Sequence, residues 1–430
     1  MKLAVKVAVA FMVLMLNFTC SNKPVNEEDN QPQIIKEVTA KDILGNPDYL
    51  AISYGGYRED TRDAQPTIDE LKEDMKILSA IGVKVLRTYN VQLAHASNVL
   101  QAIRELKEED ANFEMYVMLG AWIDCKNAWT DETPIHDEES EANEGEIARA
   151  AALANQYPDI VKIIAVGNEA MVKWATSYYV QTWVILKWVN HLQELKKEGK
   201  LAEDLWITSS DDFASWGGGD TEYHTPDLEK LIKAVDYISM HTYPYHNTHY
   251  NPEFWGVPVE EESLSDIEKI DAAMLRAKAF AMSQYKEVED YVESLGVNKP
   301  IHIGETGWAS VSNGHYGPNG SMAADEYKEG LYYRHLRDWT NTSGISCFYF
   351  EAFNEQWKDA RNIKGSENHF GLFTIDGKAK YALWDLVDKG AFDGMTRNGL
   401  SITKTYDGDK EALMTTVLAP PVKNAEAVKP

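Results

Sequence analysis

Three things are scarce in this sequence, and each scarcity excludes something. Among 430 residues there are three cysteines, Cys20, Cys125 and Cys347. A small fold stapled by several disulfides is therefore excluded. Cys125 and Cys347 fall near the third and eighth strands of the reading below. Those strands should not be neighbours, so both thiols are read as unpaired packing residues. Basic residues are also scarce: 42 Lys and Arg against 68 Asp and Glu give a formal charge of -26. Such a surface repels phosphate, which excludes nucleic acid and argues against polyanionic substrates. A neutral polysaccharide fits, although the charge also serves simply to keep an exported protein soluble. Finally, internal repeats and long low-complexity tracts are missing, and neither His241 nor His302, both on strand-like runs, stands in an HxxxH pattern. No metal and no cofactor are expected. His302 reads as a barrel-core residue, and His246 and His249 as loop residues.

What is present begins with a leader. MKLAVKVAVAFMVLMLNFTC carries Lys2 and Lys6, then an apolar run from Val7 to Leu16, then Cys20. The run is too short for an ordinary membrane span and has the form of a secretory signal. Cysteine at its end resembles a bacterial lipoprotein signal, with Cys20 as the lipidated residue, although Asn17, Phe18 and Thr19 depart from the usual pattern. The polar, acidic SNKPVNEEDNQPQ that follows suits a tether. The expected organisation is a lipoprotein-type signal over 1–20, a polar linker over 21–46, a catalytic domain over 47–390 and a C-terminal extension over 391–430. The expected location is the outer membrane, surface-facing or periplasmic, with membrane contact only through the anchor; plain cleaved export is the alternative.

Strand-like and helix-like segments then alternate. Apolar runs without polar alternation occur at Leu50–Tyr54, Val83–Tyr89, Met115–Leu119, Ile160–Val166, Leu205–Ser209, Asp236–His241, Pro300–Gly304 and Ile345–Glu351. Such runs suit a parallel sheet covered by helices. Helical patterns fill the gaps, and Thr67 with Glu70 offers a capping box ahead of Ile68–Ala80. Eight such alternations predict an α/β fold, a (β/α)8 TIM barrel with a short C-terminal extension. In the extension, Gly399–Tyr406 and Ala412–Leu418 read as one hairpin across YDGDKE, ahead of a polar end.

Two of the strands end in glutamate, in IIAVGNE (Glu169) and IHIGETGW (Glu305). Two carboxylates at the mouth of a barrel suit glycosidic bond cleavage, in which one protonates the leaving oxygen and the other attacks the sugar. Tyr54, Arg87, Asn168, His241, Tyr243, Glu351 and Glu355 also reach strand ends. A ring of polar residues over one face is hard to explain as core. The 12 tryptophans exceed what a core needs. Trp122, Trp174, Trp216, Trp255 and Trp357 lie in or near loops that follow strands, and two or three are expected to line a sugar-binding cleft.

ISYGGY, LRTYN, VGNE, HTYPY, GETGWAS and FEAFNEQWK occur in the order found in the glycoside hydrolase family 17 β-1,3-glucanases, which the chain resembles over residues 48 to 388. The resemblance implies a retaining double displacement with Glu169 as acid/base and Glu305 as nucleophile. Arg87 and Tyr243 become candidate donors to Glu305. Asn168 would contact the sugar 2-hydroxyl, and His241, close to the cleft, is a candidate sugar contact. Glu355 and Lys358 match the family's FNExxK pair, and Trp308 would wall the site. Ala309 stands where plant members carry proline, and Glu351 is closer to microbial members.

The implied activity is hydrolysis of laminarin-type β-1,3-glucan by a monomer, with endo action favoured. Long loops over 122–142, 211–225 and 242–262, carrying Trp129, Trp216 and Trp255, leave exo action open. A transglycosylase would use the same covalent intermediate. A non-catalytic glycan-binding lipoprotein is the remote alternative.

Overall fold

The computed structural model describes residues 38–423, and Cys20 with the rest of the leader lies outside the described residues. The described residues form one compact unit. Its centre is a closed, parallel eight-stranded barrel. The strands are β1 (Leu50–Ser53), β2 (Val83–Arg87), β3 (Tyr116–Ala121), β4 (Val161–Asn168), β5 (Trp206–Asp212), β6 (Ile238–His241), β7 (Ile301–Gly307) and β8 (Cys347–Phe350). Each pairs with its sequence neighbours, and β8 closes onto β1 through Ala51 opposite Phe348. All eight expected strands are present, and helices connect them on the outside as expected of a TIM barrel.

The barrel closes because its strands can be buried on both faces. β3, β6, β7 and β8 are buried throughout. Gly304 on β7 is one place where only glycine fits. A Cβ there would lie 2.1 Å from the Ser239 hydroxyl and 2.6 Å from that of Ser210. The Thr67–Glu70 capping box starts the helix Ile68–Ala80, and Gly82 follows its end with φ of +83°. Cys125 and Cys347 are free and buried.

The expected linker ends earlier than residue 46. Thr39 and Asp42 form a capping box around the short helix Ala40–Ile43. Ala40, Ile43 and Leu44 pack with Ala51, Val85, Met118, Ile163, Tyr237 and Phe348 as one apolar cluster. These segments precede or begin the strands, so the helix stoppers the end of the barrel away from the strand tips.

The C-terminal extension also corrects the sequence reading. Its antiparallel pair joins Thr396–Arg397 to Leu400–Ser401. Asn398 and Gly399 between them both have positive φ, 53° and 73°, the conformation that a two-residue Asn-Gly turn favours. The stretch expected as the second hairpin strand is instead helical over Lys410–Met414, capped by the Asp409 side chain. Lys, Glu, Ala, Leu and Met are good helix formers, which a strand reading of ALMTTVL undervalues. Arg397 anchors the extension: its guanidinium bonds buried Asp74 on the helix Ile68–Ala80 at 2.8 Å.

Candidate active site

The polar layer above the apolar barrel floor is assembled from strand tips. In register, His241 of β6 stands beside Glu305 of β7, and Asn168 of β4 beside Ser210 of β5. Glu169 follows β4 in a left-handed conformation with φ of 47°. Non-glycine residues adopt this backbone at a cost of about 1–2 kcal/mol, and such strain collects at functional sites. Its amide donates to the Ser210 carbonyl at 2.9 Å, which holds the turn against β5.

Glu305 is surrounded by donors. Arg87 Nη1 reaches its Oε2 at 2.5 Å and the Gly304 carbonyl at 2.9 Å. The Tyr89 hydroxyl donates to Oε2 and the Tyr243 hydroxyl to Oε1, each at 2.7 Å. Burial opposes ionisation of Glu305, but facing His241, Arg87 and the two phenols outweigh it and hold its pKa at about 2. Glu169 experiences the opposite balance. Burial raises its pKa to about 8, reinforced by the Glu305 charge and opposed by Arg87. At neutral pH one carboxyl is therefore ionised and the other protonated, the division of roles that acid-assisted glycosyl transfer needs.

His241 links the two glutamates to the barrel interior. Its Nδ1 lies 3.0 Å from Glu169 Oε1, and its Nε2 lies 2.7 Å from the Ser210 hydroxyl, which contacts that of Ser239 at 2.9 Å. Burial lowers the His241 pKa to about 4, so it is a neutral hydrogen-bonding partner at neutral pH. One oxygen of Glu169, one of Glu305 and a ring nitrogen of His241 all lie within 4.8 Å of one another. That spacing could also suit a metal ion, but Arg87 already places a permanent positive charge against Glu305, and a second cation there would be repelled.

The other sequence-predicted residues divide. Asn168 is in place, its Oδ1 accepting from Arg87 Nη2 at 2.5 Å. Lys358 Nζ bonds Glu351 and stands 3.4 Å from Glu355 Oε2. These residues follow β8 and form a charged cluster together with the Trp357 indole, which donates to Glu355 at 2.9 Å. Glu351 is buried, and its Oε1 has no hydrogen-bond partner among the described residues.

Tyr54 and Trp308 do not reach the cleft. The Tyr54 hydroxyl donates to Asp74 at 3.0 Å, within the cluster that anchors the extension. Trp308 is fully buried, its indole donating to the Ala323 carbonyl at 2.8 Å while its ring packs on Tyr245, Trp255 and Tyr332. It supports the site from behind rather than walling it. Trp216 and Trp255 are likewise core, as is His302, whose Nδ1 accepts from the Ser346 amide at 3.1 Å.

Sequence reasoning passed over Tyr89 as an individual residue, although LRTYN places it two positions beyond Arg87. The alternation of a strand continued through Thr88 was the signal that would have found it.

Residues 51–371 match the BtgE/BtgC glycoside hydrolase domain. The chain belongs to the BtgE/BtgC glycoside hydrolase family. It is 70% identical to an endo-laminarinase from Formosa Hel1_33_131, whose structure covers 90% of this chain and 98% of its own with a TM-score of 0.89. A glycoside hydrolase family 17 β-1,3-glucanosyltransferase from Rhizomucor miehei shares the fold at 21% identity, covering 78% of this chain and 96% of its own, with a TM-score of 0.53. An Aspergillus flavus protein named "Probable glucan endo-1,3-beta-glucosidase btgC" is 24% identical over 388 residues, which is 85% of this chain and 47% of that protein. The chain thus spans about half the length of that BtgC relative.

Proposed function

We propose that the protein is a retaining hydrolase of β-1,3-glucan that cleaves within laminarin-type chains. The observation that carries this reading is the Glu169–Glu305 pair, whose carboxylate oxygens lie within 4.8 Å of each other; burial beside the Glu305 charge raises the pKa of Glu169, and His241, Arg87 and two phenols hold that of Glu305 low. Retaining enzymes hold their two carboxyls about 5–5.5 Å apart, whereas inverting enzymes leave room for a water between them. Glu305 attacks the anomeric carbon while Glu169 gives its proton to the departing oxygen, leaving a glycosyl ester on Glu305. Glu169, now ionised, takes a proton from water as that water attacks the same carbon and releases Glu305. Arg87, Tyr89 and Tyr243 hold the attacking carboxylate in place and ionised. Asn168, ordered by Arg87, is positioned to meet the sugar 2-hydroxyl. The 70%-identical endo-laminarinase supports both the substrate and internal cleavage.

The test is reducing-sugar release from laminarin by wild type and Glu305→Gln, with early products resolved by size. A ladder of oligomers from wild type and near-complete loss in the variant are expected. Equal release by both proteins rejects the catalytic assignment, and glucose alone rejects internal cleavage.

We further propose that the protein is an exported bacterial lipoprotein, held in the outer membrane through Cys20 and acting as a monomer. The leader ending in Cys20 and the polar tether behind it support that reading. Cys20→Ser is expected to move the protein from the membrane fraction to the soluble fraction, and an unchanged distribution rejects the anchor.

A further inference from the structure

Glu169 protonates the oxygen that leaves, so the departing sugar must lie on the Glu169 side of the nucleophile. The loop that carries Glu169 also carries Tyr178, and that loop is tied to the one following β3. The Cys125 amide donates to the Tyr178 carbonyl at 3.1 Å, and the Gln181 amide donates to the His136 carbonyl at 3.0 Å. Between these ties lies a small antiparallel pair, Cys125–Lys126 with Ile135–Glu139. Trp129 stands in its turn.

Trp129 combines three features that packing does not explain. It is 62% exposed. Its backbone is left-handed, φ of 61°, and Asn127 two positions earlier is also left-handed at 63°. Its ring lies on that of Tyr178, 5.1 Å between centroids and 21° between planes, with the remaining ring surface open to solvent. A large apolar ring in a disfavoured backbone gains little by facing water, and this arrangement must be held in place.

The holder is Asp124. One carboxylate oxygen, Oδ1, accepts from the Trp122 indole at 2.6 Å and from the Trp129 indole at 3.1 Å. Asp124 is itself fixed through its backbone: its amide donates to Asn143 Oδ1 at 3.0 Å, and its carbonyl accepts from Asn143 Nδ2 at 2.9 Å. With both indole N–H groups so occupied, the rings present their faces. Burial, together with the charges of Glu169, Asp211, Glu305 and Asp124, raises the pKa of the Tyr178 phenol.

We propose that Trp129, fixed with Trp122 on Asp124 and backed by Tyr178, is a stacking platform for a glucosyl unit on the departing side of the cleaved bond. The flat face of a β-linked glucosyl ring, lined with C–H groups, suits an aromatic face that has no free polar edge. The platform holds the leaving chain during cleavage, and it holds a second glucan chain once the glycosyl ester has formed. A hydroxyl of that second chain then attacks the anomeric carbon in place of water. The new C–O bond forms as the ester bond to Glu305 breaks, and the hydroxyl proton passes to the Glu169 carboxylate. Asp124 is a positioning residue, acting through the two rings.

The inference rests on the proposed hydrolase reading, and two substrates separate the two. Laminarihexaose places sugars on both sides of the cleaved bond. A 4-nitrophenyl β-laminaribioside cut at its aryl bond places none on the departing side. With Trp129→Ala, kcat/KM on the hexaose is expected to fall about tenfold. Hydrolysis of the aryl bioside should stay within about twofold, because a platform for the departing sugar is not used there. Transfer products formed with added laminaribiose should fall in parallel with the hexaose rate. Trp129→Phe should restore most of it. Asp124→Ala should reproduce the Trp129→Ala pattern and add little in the double variant, because both act through one contact. Equal losses on both substrates, or no loss on either, overturn the platform. If wild type cleaves neither substrate, the hydrolase reading fails. The platform is then judged by quenching of tryptophan fluorescence by laminaribiose, which must disappear in Trp129→Ala for it to stand.

Discussion

Arg87 holds Glu305 with one guanidinium nitrogen and Asn168 with the other, at 2.5 Å in each case. One buried cation therefore keeps the Glu305 carboxylate ionised and orients the amide beside Glu169. Arg87→Met is expected to lower kcat on laminarin by about 10²–10³-fold, the usual effect of losing one preorganised electrostatic partner. Its loss also removes a stabilising charge from Glu305, so the acid limb of the pH–rate profile should move to higher pH. An acid limb that stays in place while kcat falls would assign Arg87 to positioning alone.

With Glu169 as the proposed acid and Glu305 as the proposed nucleophile, a bell-shaped pH profile is expected. Glu305 must be ionised, so activity is lost as pH falls through its low pKa of about 2. Glu169 must be protonated, so activity is lost as pH rises through about 8. The two limbs belong to the interacting pair rather than to either residue alone. Glu169→Gln should abolish the alkaline limb of the small residual activity on an aryl glycoside, whose leaving group needs little protonation. A limb that persists near pH 8 would place the acid elsewhere.

The stopper helix should matter to stability and not to chemistry. Ile43 is fully buried in the barrel floor. Ile43→Ala is expected to cost about 2–5 kcal/mol. Thermal unfolding should register that loss while kcat/KM at 20 °C remains at the wild-type level.

The C-terminal extension should be an integral part of the fold. Arg397→Met leaves Asp74 with Arg58, at 2.7 Å, as its remaining cationic partner. Breaking one arm of such a buried cluster is expected to cost about 3–5 kcal/mol. Chemical denaturation should show a lower midpoint, and a midpoint unchanged from wild type would make the Arg397–Asp74 contact incidental.

Much of this architecture was legible in the chain. Apolar runs without alternation identify strands buried on both faces, because only a covered parallel sheet tolerates them. The capping box at Thr67 and Glu70 marks a helix start by local hydrogen bonding alone. The Asn398–Gly399 turn was equally legible, but the strand-like run read from Gly399 to Tyr406 absorbed its glycine and obscured it. Trp308 was a different problem. Its place after β7 follows from the sequence, but its direction does not. Tyr245, Trp255 and Tyr332, from three other segments, provide the pocket that turns the ring away from the cleft. Tyr54 is similar, since Asp74 draws its hydroxyl toward the outer helix.

The sequence by itself determined which segments become strands and which two glutamates end them, because burial and hydrogen bonding along a strand are local properties. The tertiary structure alone decided what those glutamates are. Closing the barrel brings Arg87, Tyr89 and Tyr243 onto Glu305 and places Glu169 beside the resulting anion. Protonation depends on burial and on neighbouring charge, and those neighbours come from strands far apart in the chain. The same holds for the tryptophans. Trp216, Trp255 and Trp308 became core, and Trp129 was left facing solvent, because only the folded chain brings Asp124 and Tyr178 to it.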